Sequence, residues 1–377
     1  MPGDIIVCSL EAWDDVWRRN QFLVRELLEL RPSARILFVA PPRDALHDLT
    51  RRSMPVRPSL RAIEAGRLWQ LTPGKWLPRV LGPFADRSLY RQVLAAVAEI
   101  GLSDPVLWVN DSVYAGLAEA SPFPTVYDVT DDWLLLPFPP REMARRRARE
   151  DTLLRRAEEV VVCSQSLAAS RGASRPVHLI PNAVDGAAFR RPAPRPADLP
   201  AGATAVYVGT LHEDRLDLDL VTGLAAAAPQ AAVVLVGPVE LTSPARRRLD
   251  AVANVHVLGA RPYPQVPGYL QHATVVMIPH RITPFTSSLD PIKAYECEAV
   301  GTPTIATPLP GFVPDRNCIR SVEPDLWVEA VRLALADPPP RAMAGDLPTW
   351  RDRAESFDTV LGLAAENRRV GETAERG

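Results

Sequence analysis

The sequence predicts an α/β protein made of two doubly wound parallel-sheet (Rossmann-like) domains in tandem. Three observations carry that reading. Short, continuous apolar runs alternate with apolar residues at helical spacing almost throughout, the pattern of parallel strands covered on both faces by helices. The alternation breaks once, near the middle, at Arg191-Pro-Ala-Pro-Arg-Pro-Ala-Asp-Leu-Pro. A length of 377 residues suits two domains at roughly 150 residues each.

Asp4-Ile-Ile-Val-Cys-Ser reads as the first buried strand. Arg19 to Leu30 follows as a helix, with Phe22, Leu23, Leu27, Leu28 and Leu30 on one side. Arg35-Ile-Leu-Phe-Val-Ala is the next strand, stopped by Pro41-Pro42. Val106-Leu-Trp-Val, Thr125-Val-Tyr-Asp-Val and Glu159-Val-Val-Val-Cys-Ser complete the first series. The second series runs through Thr204-Ala-Val-Tyr-Val-Gly, Ala231-Ala-Val-Val-Leu-Val-Gly, Val255-His-Val-Leu-Gly, Thr274-Val-Val-Met-Ile-Pro and Thr302-Pro-Thr-Ile-Ala-Thr. The expected organisation is a first domain over 1–185, a proline-rich linker over 186–203 and a second domain over 204–345. A C-terminal helix, 346–377, rejoins the first domain. Open sheets of this kind bind ligands outside the carboxyl ends of their strands, and two of them facing each other make a cleft.

With 47% hydrophobic and 23% charged residues, the chain lies far from the disordered class. A net charge of -2 disfavours a general nucleic-acid binder, which would show a basic excess. The chain has 39 prolines, and its basic residues are arginine except for Lys75 and Lys293. GC-rich codon usage explains both biases, so a lysine retained against them stands out. Cys8, Cys163, Cys297 and Cys318 are widely spaced and form no CxxC pair, so neither a disulfide framework nor a metal site is expected. The N-terminus is too quickly polar for a signal peptide. No stretch approaches the ~20 apolar residues of a membrane span, so a soluble, cytoplasmic protein is expected.

Neither GxGxxG nor GxxxxGK[ST] follows the first strand of either domain, which weakens nicotinamide redox and P-loop chemistry. The densest segment is Thr286-Ser-Ser-Leu-Asp-Pro-Ile-Lys-Ala-Tyr-Glu-Cys-Glu-Ala-Val-Gly-Thr-Pro. It reads as a helix capped by Asp290, opened by Pro291 and stopped by Gly301. Its N-terminus is a seat for phosphate. Lys293 in the first turn adds charge, and Glu296 one turn on can accept hydrogen bonds from ribose hydroxyls. An ordinary capped helix with a surface Lys and Glu is the plainer alternative.

These residues resemble the donor-site helix of GT-B glycosyltransferases of the "group 1" type. Glu296 falls on the second Glu of that family's motif, because Gly301-Thr-Pro-Thr-Ile follows at the family offset; the first Glu is replaced by Ser288. The Asp-Pro-x-Lys-x-x-Glu pattern is similar to the teichuronic-acid-type subgroup. The resemblance implies the GT-B fold and a donor site built from Gly209, Thr210, Arg215, Ala260, Arg261, His280, Ser287, Ser288, Leu289, Lys293 and Glu296. Within it, loop N–H groups at Ser287 to Leu289 would hold a diphosphate with Lys293 and Arg215. The backbone at Ala260 and Arg261 would hold the base. Arg281, beside His280 at a strand end, joins the catalytic candidates.

On the first domain, Val126-Tyr-Asp-Val-Thr-Asp-Asp-Trp places Asp128, Asp131 and Asp132 where a strand ends. A carboxylate there can deprotonate an acceptor, and Asp131 or Asp132 is expected to act at the acceptor side, with Asp128 structural. Thr130-Asp131 replaces the His-Asp pair of many relatives. Glu11-Ala-Trp-Asp-Asp-Val-Trp-Arg-Arg-Asn-Gln resembles the family's acceptor-side loop, which implies acceptor contacts from Trp13, Arg18, Asn20 and Thr130. The arginine-rich helix Glu142 to Glu159 carries interleaved acids. A solvated face is therefore preferred to a peripheral membrane contact.

The resemblance implies a metal-independent glycosyltransferase of hexosyltransferase type. It would move a sugar from a UDP, dTDP or GDP sugar to a glycan, lipid-linked or natural-product acceptor, with no cofactor beyond the nucleotide sugar as co-substrate. A sugar-nucleotide epimerase of the same fold and a non-catalytic nucleotide-sugar-binding subunit are the alternatives. Retaining and inverting stereochemistry both stay open.

Overall fold

A computed structural model describes residues 3–44, 58–64, 66–75, 83–313 and 317–376. Met1 and Pro2, which open the expected first domain, and Gly377, the last residue of the expected C-terminal helix, lie outside the described residues. The chain divides into two compact units: one of Met1–Asp14, Arg18–Pro181 and Arg351–Gly377, the other of Asp15–Trp17 and Asn182–Trp350. Among the described residues no helix is long and apolar enough to cross a membrane.

The first unit is built on an eight-stranded sheet. Its strands lie in the order His178–Leu179, Glu159–Val162, Thr125–Val129, Val106–Val109, Asp4–Cys8, Arg35–Val39, Leu68–Thr72 and Ser59–Glu64. All neighbours are parallel except the last pair, where Ser59–Glu64 runs antiparallel along the edge. The four central apolar runs are buried along almost their whole length, as continuous Val/Ile/Leu strands covered on both faces must be. Helix Arg19–Leu30 has the residues expected from its spacing. Helix Trp350–Arg376 closes the unit from the far end of the chain. There Phe357 lies 4.4 Å from the Trp108 ring, Asp358 pairs with Arg31, and Asn367 donates to Glu159 at 2.6 Å.

The second unit has a six-stranded, all-parallel sheet: Val255–Gly259, Ala232–Val236, Thr204–Val208, Val275–Ile278, Thr304–Ala306 and Ile319–Ser321. Val255–Gly259 is an edge strand whose residues, His256 among them, are all partly exposed. The stretch 186–203, expected to be a linker, belongs to this unit. It forms helix Gly186–Arg190, and Phe189 and Leu199 enter the hydrophobic core. Apolar residues between the prolines hold the segment down.

In each sheet the first strand is internal, and the chain builds outward on one side of it before returning to the other. The reversals fall between Asp4–Cys8 and Val106–Val109, and between Thr204–Val208 and Val275–Ile278. Such switch points leave a crevice at the carboxyl ends of the strands. In the second unit, glycines end or follow three adjacent strands: Gly209 at φ +150°, Gly237 at +145° and Gly259 at +77°. Gly209 N–H donates to Val236 at 2.8 Å, and Gly237 N–H donates to Gly259 at 2.9 Å. A Cβ on Gly237 would collide with the Gly209 carbonyl, 2.6 Å from its carbon. Neither backbone can yield without breaking the sheet. Gly237→Ala is therefore expected to destabilise the chain by about 2–4 kcal/mol, read as a fall in the urea unfolding midpoint.

Candidate functional site

At the switch point of the second unit, Gly209 meets the helix Ile292–Val300. The Lys293 ammonium lies 5.5 Å from the centre of the Tyr207 ring. A Cβ on Gly209 would come within 2.5 Å of Lys293 Nζ. Among the described residues Lys293 makes no ion pair. The Arg215 guanidinium sits 5.2 Å over the Phe285 ring, and Arg215 C=O accepts from Arg281 N–H at 2.8 Å. Lys293 thus lies beside the glycine turn, and both cations are near enough to act on His280.

The histidines respond to that charge. His280 is buried and lies 3.2 Å from the Tyr207 hydroxyl through Nε2. Burial, then Lys293, then Arg215 hold its pKa well below the ordinary value, so it is neutral. His212 is lowered for the same reasons, first by burial and next by Arg215, with Asp214 and Glu240 opposing. The site therefore carries the charge of Lys293 and Arg215 without a third cation.

Glu296 keeps one edge toward solvent but is otherwise enclosed. Burial pushes its carboxyl up to about 7, with Lys293 pulling the other way. Burial raises the pKa of Tyr263, a residue not among the expected site residues, and nearby Glu296 and Asp185 raise it further. Its signal was the aromatic that follows Arg261-Pro262.

Two expectations for this end of the unit need correction. The helix begins at Ile292 with Pro291 at the N-cap position, not with Asp290 as cap. Asp290 instead accepts from Asn182 N–H at 2.5 Å and from the Tyr295 hydroxyl at 2.9 Å. Secondly, the N–H groups of Ser287, Ser288 and Leu289 are taken up inside a turn, donating to Thr283, Phe285 and Thr286. The Thr283–Thr286 capping box stabilises that turn, so these groups do not form a diphosphate loop. The N–H groups that open helix Ile292–Val300 are those of Ile292 and Lys293. The Arg261 side chain is turned to Asp198 and Tyr269 and donates to Ala260 C=O at 2.8 Å; the expectation for Ala260 and Arg261 concerned their backbone. Gly301 ends the helix in the left-handed conformation, as expected. Thr210 follows Gly209 and is partly exposed, and Arg281 is exposed.

In the first unit a polar concavity opens at the switch point. Thr130, Asp131, Asn110, Asp111, Arg146 and Trp133 are among its walls. Asn20 is buried and donates to Ser9 at 2.9 Å and Asn110 at 2.8 Å; Asn110 donates onward to Thr130 at 3.2 Å. Asn20 and Thr130 thus belong to one network. Asp128 is buried with Arg19 at 3.6 Å and the Trp108 N–H at 3.1 Å, a structural acid. Asp132 is structural too, which overturns its expected catalytic role: Arg171 grips both of its oxygens and also holds Glu150 at 2.6 Å. Trp13 packs edge-on against Phe38 at 5.1 Å. Arg18 pairs with Asp14 at 3.2 Å. The basic helix, Pro140–Arg156, sends Arg149 to Asp86 at 2.7 Å and Glu150 inward, while Arg141, Arg147 and Arg155 stay exposed.

Comparison with known proteins places this geometry in a class. Residues 202–337, most of the second unit, match the family model described as Glycosyl transferases group 1. No curated protein matches the sequence. Among solved structures, Alr3699/HepE of Anabaena, in complex with UDP and glucose, is similar at 16% identity and a TM-score of 0.62, over 99% of this chain and 100% of that one. An OtsA structure is similar at 10% identity and 0.63, over 97% and 96%. A UDP-forming trehalose-phosphate synthase of Burkholderia vietnamiensis is similar at 14% and 0.56, over 99% and 97%. These likenesses show the fold: the parallel α/β architecture of the GT-B class.

The Glu296 carboxyl also makes stability depend on pH. Between its ordinary value of 4.5 and about 7, the folded chain keeps a proton that the unfolded chain has released, so stability falls as pH rises through that window. The penalty is complete above 7 and absent below 4.5. Glu296→Gln is expected to raise the unfolding free energy of the ligand-free protein by about 1–3 kcal/mol at pH 8.5 and to change it little at pH 4.5. Urea titrations at the two pH values measure this.

Proposed function

We propose that the chain transfers a sugar from a nucleoside diphosphate sugar to a hydroxyl of a glycan, lipid-linked or natural-product acceptor. The observation that carries the proposal is the Lys293 ammonium, held without an ion-pair partner among the described residues beside Gly209, at the switch point of the unit that matches the Glycosyl transferases group 1 model. A cation left uncompensated in that position calls for an anion.

In this reading Lys293, Arg215 and the N–H groups that open helix Ile292–Val300 stabilise the diphosphate as it departs and gains charge. These fixed charges serve the leaving group without a metal. Glu296, one turn along, accepts hydrogen bonds from the ribose hydroxyls, and its carboxylate form does so best. Gly209 and Thr210 let the phosphates approach the backbone. UDP is the first nucleotide to try, since Alr3699/HepE was solved with it. In the first unit, Asp131 on the wall of the concavity is the group proposed to take the acceptor proton. We place the reaction in the cytoplasm.

Thermal unfolding against UDP, dTDP, GDP and ADP, with and without magnesium, tests the donor half. One nucleotide at ~100 times its dissociation constant should add roughly 2.7 kcal/mol without metal. No shift from any of the four overturns the reading. Glu296→Ala should abolish most of that shift while the chain stays folded. Asp131→Asn should lower turnover by about 10²–10⁴-fold and leave the nucleotide shift intact. Slow hydrolysis of the nucleotide sugar without acceptor separates a transferase from a binding subunit.

A further inference from the structure

We propose that Tyr207 is the positioning residue for Lys293, its buried ring holding the ammonium beside Gly209 without neutralising it. This rests on the donor-site reading above.

Tyr207 lies on the central strand Thr204–Val208 and is 1% exposed. Its strand neighbours Val206 and Val208 are aliphatic, and packing alone would be met by another aliphatic side chain. A phenol buried there needs a hydrogen-bond partner, which His280 supplies at 3.2 Å. Phe312 packs edge-on against the far side of His280 at 6.4 Å. The ring is therefore fixed from behind, and its face is aimed at the site.

On that face lies the Lys293 ammonium, 5.5 Å from the ring centre and within the roughly 6 Å reach of a cation–π contact. Three groups converge on one spot. A Cβ added to Gly209 would lie 2.5 Å from Lys293 Nζ and 3.2 Å from the Tyr207 hydroxyl, as well as against Lys293 Cε. The absence of a side chain at Gly209 is thus what leaves room for the lysine tip over the ring. A carboxylate could also hold a lysine in place, but it would cancel the charge. The ring holds the cation and leaves its charge for an anion. Burial, Lys293 and Arg215 keep His280 neutral, so the anchor adds no competing charge.

Inorganic pyrophosphate tests this independently of which base the donor carries. Calorimetric titrations would compare the wild type, Tyr207→Leu, Tyr207→Phe, Lys293→Met and the Tyr207→Leu/Lys293→Met double variant. Tyr207→Leu should weaken binding about tenfold, and Tyr207→Phe, which keeps the ring, should recover most of that loss. The double variant should bind no worse than Lys293→Met alone, because Tyr207 acts only through the lysine. Equal losses from Tyr207→Leu in both backgrounds, or no loss at all, overturn the proposal. Wild-type affinity in Lys293→Met overturns the donor reading itself and this proposal with it.

A second measurement needs no variant at Tyr207. Lys75 and Lys293 are the only lysines in the chain, so a sample labelled at lysine gives two sets of ε-methylene signals, and Lys293→Met assigns them. Lys293 should show an upfield ring-current shift. A random-coil position for its signal refutes the contact even where Tyr207→Leu fails to fold.

Discussion

The geometry of the second unit depends on how closely two strand-end turns can approach. Gly237 lies against the carbonyl of Gly209, and this contact sets where the chain leaves the central strand. The position of Gly209 in turn decides where the tip of Lys293 can rest. A side chain at either glycine would displace the turn or the lysine. Both glycines have φ values that residues with a Cβ adopt only under strain. Backbone approach, rather than a set of side-chain contacts, is therefore the constraint on which the site is built.

The electrostatics follow from that arrangement. Two cations beside a buried histidine cost stability, and the molecule limits the cost by keeping His280 and His212 uncharged. Glu296 tolerates enclosure by holding its proton more tightly than an ordinary carboxyl. Each of these groups is set at some distance from its lowest-energy state in the folded chain. Perturbed groups gathered in this way cluster at functional sites, although structural ion-pair networks perturb pKa values as well.

Much of the fold was legible because parallel sheets buried on both faces write themselves as uninterrupted apolar runs. Thr204-Ala-Val-Tyr-Val and Val106-Leu-Trp-Val could scarcely be anything else. Helix Arg19–Leu30 was equally plain, since its apolar positions repeat at helical spacing over three turns. The errors arose where a local rule met a distant partner. Asp290 has the right chemistry for a cap, but Asn182 and Tyr295 claim its carboxylate. Asp132 stands at a strand end like a catalytic acid, yet Arg171, 39 residues on, holds it. The turn that takes up the N–H groups of Ser287 and Ser288 did leave a trace, because Thr283-Pro-x-Thr286 is a capping pattern. Tyr207 left none. A single aromatic in a buried strand looks like core until its hydroxyl partner and the cation on its face are both seen.

The path of the chain has a consequence for how it is made. The second unit is continuous from Asn182 to Trp350, apart from the short segment Asp15–Trp17, whereas the first is completed only by Arg351–Gly377. Trp108, fully buried, waits for Phe357, and Arg31 waits for Asp358. During synthesis the N-terminal unit therefore leaves the ribosome first and finishes last. Residues 182–350 have most of their own strands and helices in hand before the closing helix emerges. Throughout that interval Trp108 and Arg31 lack these two partners.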